Sequence, residues 1–134
     1  MKPKQPTEHQ EQAALIAWWS TYAKTKQLDP RLLFAIPQAA KRSYALASYM
    51  KAEGLRAGVP DLMLAIPRTG TIYNKGVIPI MLFAGLFIEL KRIGGKPTPD
   101  QLAYADLLRR QGFSVVIAYG FEESRRAITG YLQS

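Results

Sequence analysis

The chain contains no cysteine. Disulfides and thiolate-bound metals are therefore excluded. It has a single histidine, His9, which cannot build a zinc cluster alone. No apolar run is long enough to cross a bilayer. The longest nearly apolar stretch, Val77 to Leu90, is too short for that and carries Glu89. The N-terminus is polar and lacks the apolar stretch of a signal peptide. Internal repeats and low-complexity segments are absent. Acids are few, with Asp+Glu 10 against Lys+Arg 18. These absences set the expectation of a soluble, cytoplasmic protein with no membrane partner. A length of 134 residues suggests one domain with a modest core. It is expected over 7–134, after a disordered tail over 1–6.

What is present is positive charge and buried acid. The formal net charge of +8 favours a polyanionic partner. Basic residues recur in pairs, Lys41-Arg42, Lys91-Arg92, Arg109-Arg110 and Arg125-Arg126. Asp61 precedes the apolar run Leu62-Met63-Leu64-Ala65-Ile66, and Glu89 lies inside Leu86-Phe87-Ile88-Glu89-Leu90. Both runs read as buried strands. An ionised carboxylate there is costly unless compensated. Lys91 is one candidate partner for Glu89 and a divalent cation is the other. Side chains alternate along a strand, so Glu89 and Lys91 share a face. Their Cβ atoms should lie about 7 Å apart on a strand rising ~3.3 Å per residue. That spacing is too long for a tight ion pair between fixed positions and leaves room for a water and a phosphate. If the two strands are neighbours, Asp61 meets Glu89, and such a pair repels unless a cation or proton intervenes. Mg²⁺ suits one or two carboxylates plus waters. A basic surface around an acidic pocket fits a metal-dependent enzyme acting on phosphodiesters.

Pro60-Asp61 followed by Glu89-Leu90-Lys91 resembles the signature of the PD-(D/E)XK nuclease superfamily. The surrounding text is more specific. Phe34-Ala35-Ile36-Pro37, Ala52 through Leu62, Gly85 through Gly95, and Thr98-Pro99-Asp100-Gln101 together resemble the VRR-NUC (virus-type replication-repair nuclease) family, from about Glu8 to about Tyr131. The resemblance implies an α/β, restriction-endonuclease-like αβββαβ core, its central mixed sheet flanked by helices. It implies a Mg²⁺- or Mn²⁺-dependent DNA endonuclease, structure-specific for branched DNA or Holliday junctions, acting in DNA repair as a homodimer. By family name alone, the setting is a bacterial or phage-infected host cell.

Residue by residue, the resemblance makes Asp61 and Glu89 metal ligands, helped by the Leu90 main-chain carbonyl. Lys91 orients the attacking water or stabilises the transition state. A glutamate of the first helix reaches the site in a Glu-x-x-x-Gln context. Glu8 and Gln12 match it, and Glu11 is an equal candidate. By spacing alone both acids read as complements to a helix dipole. Gln101 reads in two ways, as part of a capping box with Thr98 and as a residue near the active site. One amide is not expected to serve both fully. Lys41, Arg42, Arg92 and Lys96 are the candidate DNA contacts. The family loop beginning Pro-Asn-Gly is replaced here by Pro37-Gln38-Ala39. Two other readings remain open: a catalytically silent DNA-binding module on the same basic surface, and a structural Glu89–Lys91 pair without a ligand.

In chain order, periodicity predicts a helix over 8–26 capped by Thr7 and a strand over 31–36. A helix over 43–53 follows, with Ser43 as cap and a buried stripe of Leu46, Tyr49 and Met50. A strand over 62–66 precedes turns over 67–75. Residues 76–84 read as a loop or strand-like insert. Val77 to Ala84 offers a dimer contact, with ordinary core the expected fate. A strand over 86–92, a helix from Pro99 to Gln111, a strand over 113–119 and a helix over 121–132 complete the chain.

Overall fold

The computed structural model of the chain describes residues 4–38 and 44–133. Among these the elements run α1 (Glu8–Thr25), a 3₁₀ turn (Pro30–Leu32), β1 (Leu33–Ala35), α2 (Tyr44–Ala52), β2 (Leu62–Leu64) and β3 (Arg68–Tyr73). They continue through β4 (Val77–Phe83), β5 (Leu86–Lys91), α3 (Pro99–Arg110), β6 (Ser114–Tyr119) and α4 (Gly120–Leu132). One sheet has the order β1-β2-β5-β6. The β1–β2 and β2–β5 pairs are antiparallel and β5–β6 is parallel. This is the expected mixed α/β architecture.

β5 lies inside the sheet, and all six of its residues are buried. A strand covered on both faces needs apolar residues at successive positions, which explains its unbroken hydrophobic run. Leu86, Ile88 and Leu90 join Leu15 and Trp19 of α1 and Ile128 of α4 in the main core. Phe87 points to the opposite face and packs with Ala105 of α3 and Val115 of β6. Alternation therefore sends Glu89 and Lys91 to the α3 face. One contact closes the start of α1 and another ties it to the turn before β1. Thr7 and Gln10 form a reciprocal capping box at its start, and Trp19 Nε1 donates to the Pro30 carbonyl at 2.8 Å.

Three expectations are corrected. Residues 67–75 do not form only turns. Arg68–Tyr73 is a strand, paired antiparallel with β4 in a separate two-stranded ribbon. Thr69, Thr71, Ile72 and Tyr73 are strand-favouring residues, and the reversal is confined to 74–76. Pro79 of β4 is tolerated opposite Thr71 because no third strand needs its missing N–H. Second, Val77 to Ala84 is not ordinary core. Val77, Ile78, Met81 and Leu82 are exposed. Third, α2 buries no Leu46–Tyr49–Met50 stripe. Tyr49 is 67% and Leu46 43% exposed, and Met50 is half-buried. α1 and α4 pack on β5 while α3 packs on β6, and α2 stands outside these contacts. Lys41, Arg42 and Ser43 lie outside the described residues.

Candidate active site

Among the described residues four charged side chains are buried, namely Glu11, Asp61, Glu89 and Lys91. Each was a candidate from sequence, and their partners separate their roles.

Pro60 and Asp61 shape the end of β2. The ladder pairs Leu62 with Ile88 and Leu64 with Leu86. Extending this register sets Pro60 opposite Leu90, where a non-proline residue would donate its N–H to the Leu90 carbonyl. Pro60 has no N–H, so β2 supplies no backbone donor to that carbonyl. The Asp61 carboxylate takes over the acceptor side, and Leu90 N–H donates to Asp61 Oδ2 at 2.7 Å. The Pro60 carbonyl accepts instead from Gln38 Nε2 at 3.2 Å. N–H and C=O of one residue leave an antiparallel strand on the same side. The Leu90 carbonyl therefore faces the Asp61 side. Pro-Asp thus ends one ladder and opens a polar notch against β5.

Glu89 stands in that notch with its two oxygens treated differently. Oε1 accepts from Gln101 Nε2 at 2.9 Å and lies 3.5 Å from Lys91 Nζ. Oε2 is buried with no hydrogen-bond partner. Burial pushes the Glu89 carboxyl up from 4.5 to about 8. The nearby Asp61 carboxylate adds to the rise, and the Lys91 ammonium only partly opposes it. The 3.5 Å contact shows that the flexible lysine stem folds back across the spacing that backbone geometry set as too wide.

Gln101 resolves its two readings by dividing its amide. Its Oε1 accepts the Thr98 N–H at 2.9 Å, which completes the α3 capping box. Its NH₂ group donates to Glu89. The expectation that one amide could not serve both is corrected, because the cap needs an acceptor and the carboxylate needs a donor.

The two glutamates of α1 also separate. Glu11 Oε2 accepts the Phe121 N–H in the first turn of α4. Tyr119 at that helix start supplies no side-chain cap, so Glu11 caps α4 across the fold and faces its dipole. Glu8 instead lines a cavity of about 530 Å³ together with Asp61, Leu90 and Gln12. Glu11→Ala should therefore cost about 1–2 kcal/mol in urea denaturation, as lost helix caps do, while leaving activity in place. Glu8→Ala should cost less stability than Glu11→Ala and lower activity. The reverse pattern would transfer the site role to Glu11.

Sequence reasoning missed Gln38 and His9 as lining residues of that cavity. A signal existed for Gln38, since an amide directly after the strand-ending Ile36-Pro37 is placed to serve carbonyls without partners. It donates to both Ile36 and Pro60. Arg92 and Lys96 are exposed in the turn after β5.

Among the described residues no three acidic or histidine side chains form a ready metal cluster. The donor set fits a cation nonetheless. Asp61, the Leu90 carbonyl and the orphaned Glu89 Oε2 are oxygen donors, and Mg²⁺ needs only one or two carboxylates beside its waters.

A mixed sheet that brings Pro-Asp at one strand end against Glu-x-Lys on its neighbour defines the restriction-endonuclease-like class of nuclease folds. Within that class, the VRR-NUC domain matches residues 4–122, and the chain belongs to this nuclease family. A solved structure described as a VRR_NUC domain protein is similar to it, with a TM-score of 0.74 at 22% identity, over 98% of this chain and 92% of the other. At that identity the likeness speaks for the fold. No curated protein matches the chain. Membership of a nuclease family implies DNA binding. Among the described residues no helix is long and apolar enough to cross a membrane.

Proposed function

We propose that the protein is a Mg²⁺- or Mn²⁺-dependent endonuclease that hydrolyses phosphodiester bonds in branched DNA. The observation that carries this reading is Glu89 Oε2, a buried carboxylate oxygen without a hydrogen-bond partner beside the Asp61 carboxylate. A purely structural Glu89–Lys91 pair uses Oε1 and does not account for the second carboxyl group, Asp61, brought against Glu89. Asp61, Glu89 and the Leu90 carbonyl would hold the cation, with Glu8 at the cavity wall. When bound, the cation supplies Lewis-acid chemistry that acidifies water and neutralises charge on the scissile phosphate. Gln101 and Lys91 hold Oε1, so Oε2 stays directed at the cation site. Lys91 then stabilises charge on the phosphate as it becomes pentavalent. Arg92 and Lys96, with Lys41 and Arg42, bind flanking phosphates, so affinity falls steeply with salt.

The test is incubation of purified protein with four-way and linear DNA in Mg²⁺, in Mn²⁺ and in EDTA. Cleavage should require the cation and favour the junction. Salt-sensitive binding without cleavage in either metal would support the silent DNA-binding module instead. The pH profile is informative as well. A cation must displace the proton that Glu89 keeps up to about 8. Cleavage at limiting Mg²⁺ should therefore rise with pH, and raising Mg²⁺ should shift the rise to lower pH. A profile unmoved by Mg²⁺ concentration would count against Glu89 as a ligand.

The proposed assembly is a homodimer. Register and alternation collect Gly70, Ile72, Ile78 and Ile80 on one ribbon face, with Leu82 beside them. Ile72, Ile78 and Leu82 are exposed. A two-stranded ribbon is marginal alone, and an uncharged apolar face suits a self-complementary two-fold contact. Two sites in one symmetric assembly suit the paired cuts that a junction needs. Ile78→Glu should convert a dimer to a monomer in sedimentation. A wild-type monomer would refute this assembly.

A further inference from the structure

A second cavity of about 300 Å³ lies beside the first and shares its Ile36-Pro37 wall. We propose that it receives one unstacked nucleobase of the DNA strand whose backbone occupies the first cavity. This rests on the nuclease reading of the neighbouring site and adds a specificity element to it.

The shared wall is tied to the candidate ligand, because Ile36 N–H donates to the Asp61 carbonyl at 2.8 Å. A strand held in the first cavity, whose wall includes Asp61, therefore lies next to this partition. On the far side, Pro37, Met50 and Leu55 give apolar surface and Tyr104 gives an aromatic ring. Tyr104 lies one helical turn beyond Gln101, on the same side of α3. The helix that grips Glu89 thus also presents the ring. Volume decides against a duplex. About 300 Å³ sits at the lower bound of small-molecule pockets and admits one planar base.

The frame around the cavity is tightly fixed. Gly58 has φ +84, and an added Cβ would collide with the Asp100 carbonyl. Only glycine lets the connector before Pro60 press on the start of α3. Charge at the rim is mixed, since Arg56 and Glu53 both line it and both are exposed. Arg56 is free to meet the phosphate of the extruded nucleotide, and Glu53 to accept from an exocyclic amine. Aromatic rings take any base by its π-face, which makes such a pocket tolerant of sequence. It selects instead for a nucleotide that is already unpaired, because extrusion from a duplex costs a few kcal/mol. The cavity thereby gives a single chain a preference for branched or frayed DNA.

The test is a thermodynamic cycle between base and ring, read by binding in EDTA, so that cleavage is not required. The DNA is a duplex with a single-stranded arm, and an abasic nucleotide is moved along the arm. At one position, removing the base should weaken wild-type binding roughly 5- to 150-fold, the range corresponding to ~1–3 kcal/mol of base–aromatic stacking. Tyr104→Ala should lose a similar factor on intact DNA and nothing further on abasic DNA. Tyr104→Phe, which keeps the ring, should stay within about twofold of wild type. If Tyr104→Ala fails to fold, Tyr104→Leu takes its place with the same expected coupling. Losses that simply multiply at every position, or a Phe variant as weak as Ala, would overturn the base pocket. Coupling in a protein that cleaves no DNA with any metal would keep the pocket and remove the nuclease reading. Cleavage without coupling would do the reverse.

Discussion

Glu89→Gln should abolish cleavage and at the same time make the metal-free protein more stable. The activity loss should be at least about 10³-fold, because removing the proposed cation ligand would forfeit several kcal/mol of transition-state stabilisation. The gain in stability follows from the raised carboxyl. In the unfolded chain Glu89 loses its proton near 4.5, and in the folded chain near 8. Between those values the folded state binds more protons than the unfolded state. The contribution is therefore fully present below 4.5 and is lost as pH rises through about 8. Glutamine carries no such titration. Its carbonyl replaces Oε1 toward Gln101 and Lys91, and its NH₂ can donate to Asp61, which already interacts with the Glu89 carboxyl. Urea denaturation in EDTA should show the two proteins converging below pH 4.5 and the variant ahead above about 8. Added Mg²⁺ should stabilise the wild type and leave the variant nearly unchanged. A variant that is less stable than wild type at high pH without metal would mean that Glu89 is a structural acid.

The same carboxylate shows what was legible in the sequence. Asp61 and Glu89 stood out because a charge within an apolar strand has few physical explanations, and Lys91 followed from the two-residue period. The α3 start was legible for a local reason, since Thr98, Pro99 and Gln101 write a cap within one turn. What escaped detection depended on distant partners or on side-chain reach. Glu11 caps a helix that begins 109 positions later, and nothing near Glu11 announces it. Only the structure shows the other half of that contact, a Tyr119 that supplies no side-chain cap and a left-handed Gly120. In sequence β3 carries the turn chemistry of Arg-Thr-Gly, and only pairing with β4 makes it a strand. α2 carries helical spacing of apolar residues, yet spacing does not say whether a layer remains to be joined. The Glu89–Lys91 contact escaped because Cβ spacing bounds the backbone and not a four-carbon stem.

Lys91→Met should lower kcat by about 10²–10³, the cost of losing one preorganised transition-state donor, while DNA binding stays within about twofold. The second half of this expectation follows from burial. Lys91 is 8% exposed and its ammonium faces Glu89, so it adds little to the surface field that attracts DNA. Two causes can produce the loss, and they separate with pH. Lys91 opposes the rise of the Glu89 carboxyl. Its removal lets Glu89 hold a proton to still higher pH and would weaken the proposed cation site. That part of the defect should be large at low pH and limiting Mg²⁺ and vanish at high pH and saturating Mg²⁺. Whatever loss persists there belongs to the ammonium acting on the phosphate itself. Methionine keeps the length and apolar bulk of the stem, so the comparison is not confounded by a cavity. Full recovery at high pH and saturating Mg²⁺ would reduce Lys91 to a positioning residue that tunes Glu89. Equal losses in binding and cleavage would refute both roles, because a buried ammonium that mattered only to affinity would have to reach the DNA backbone from beneath the site.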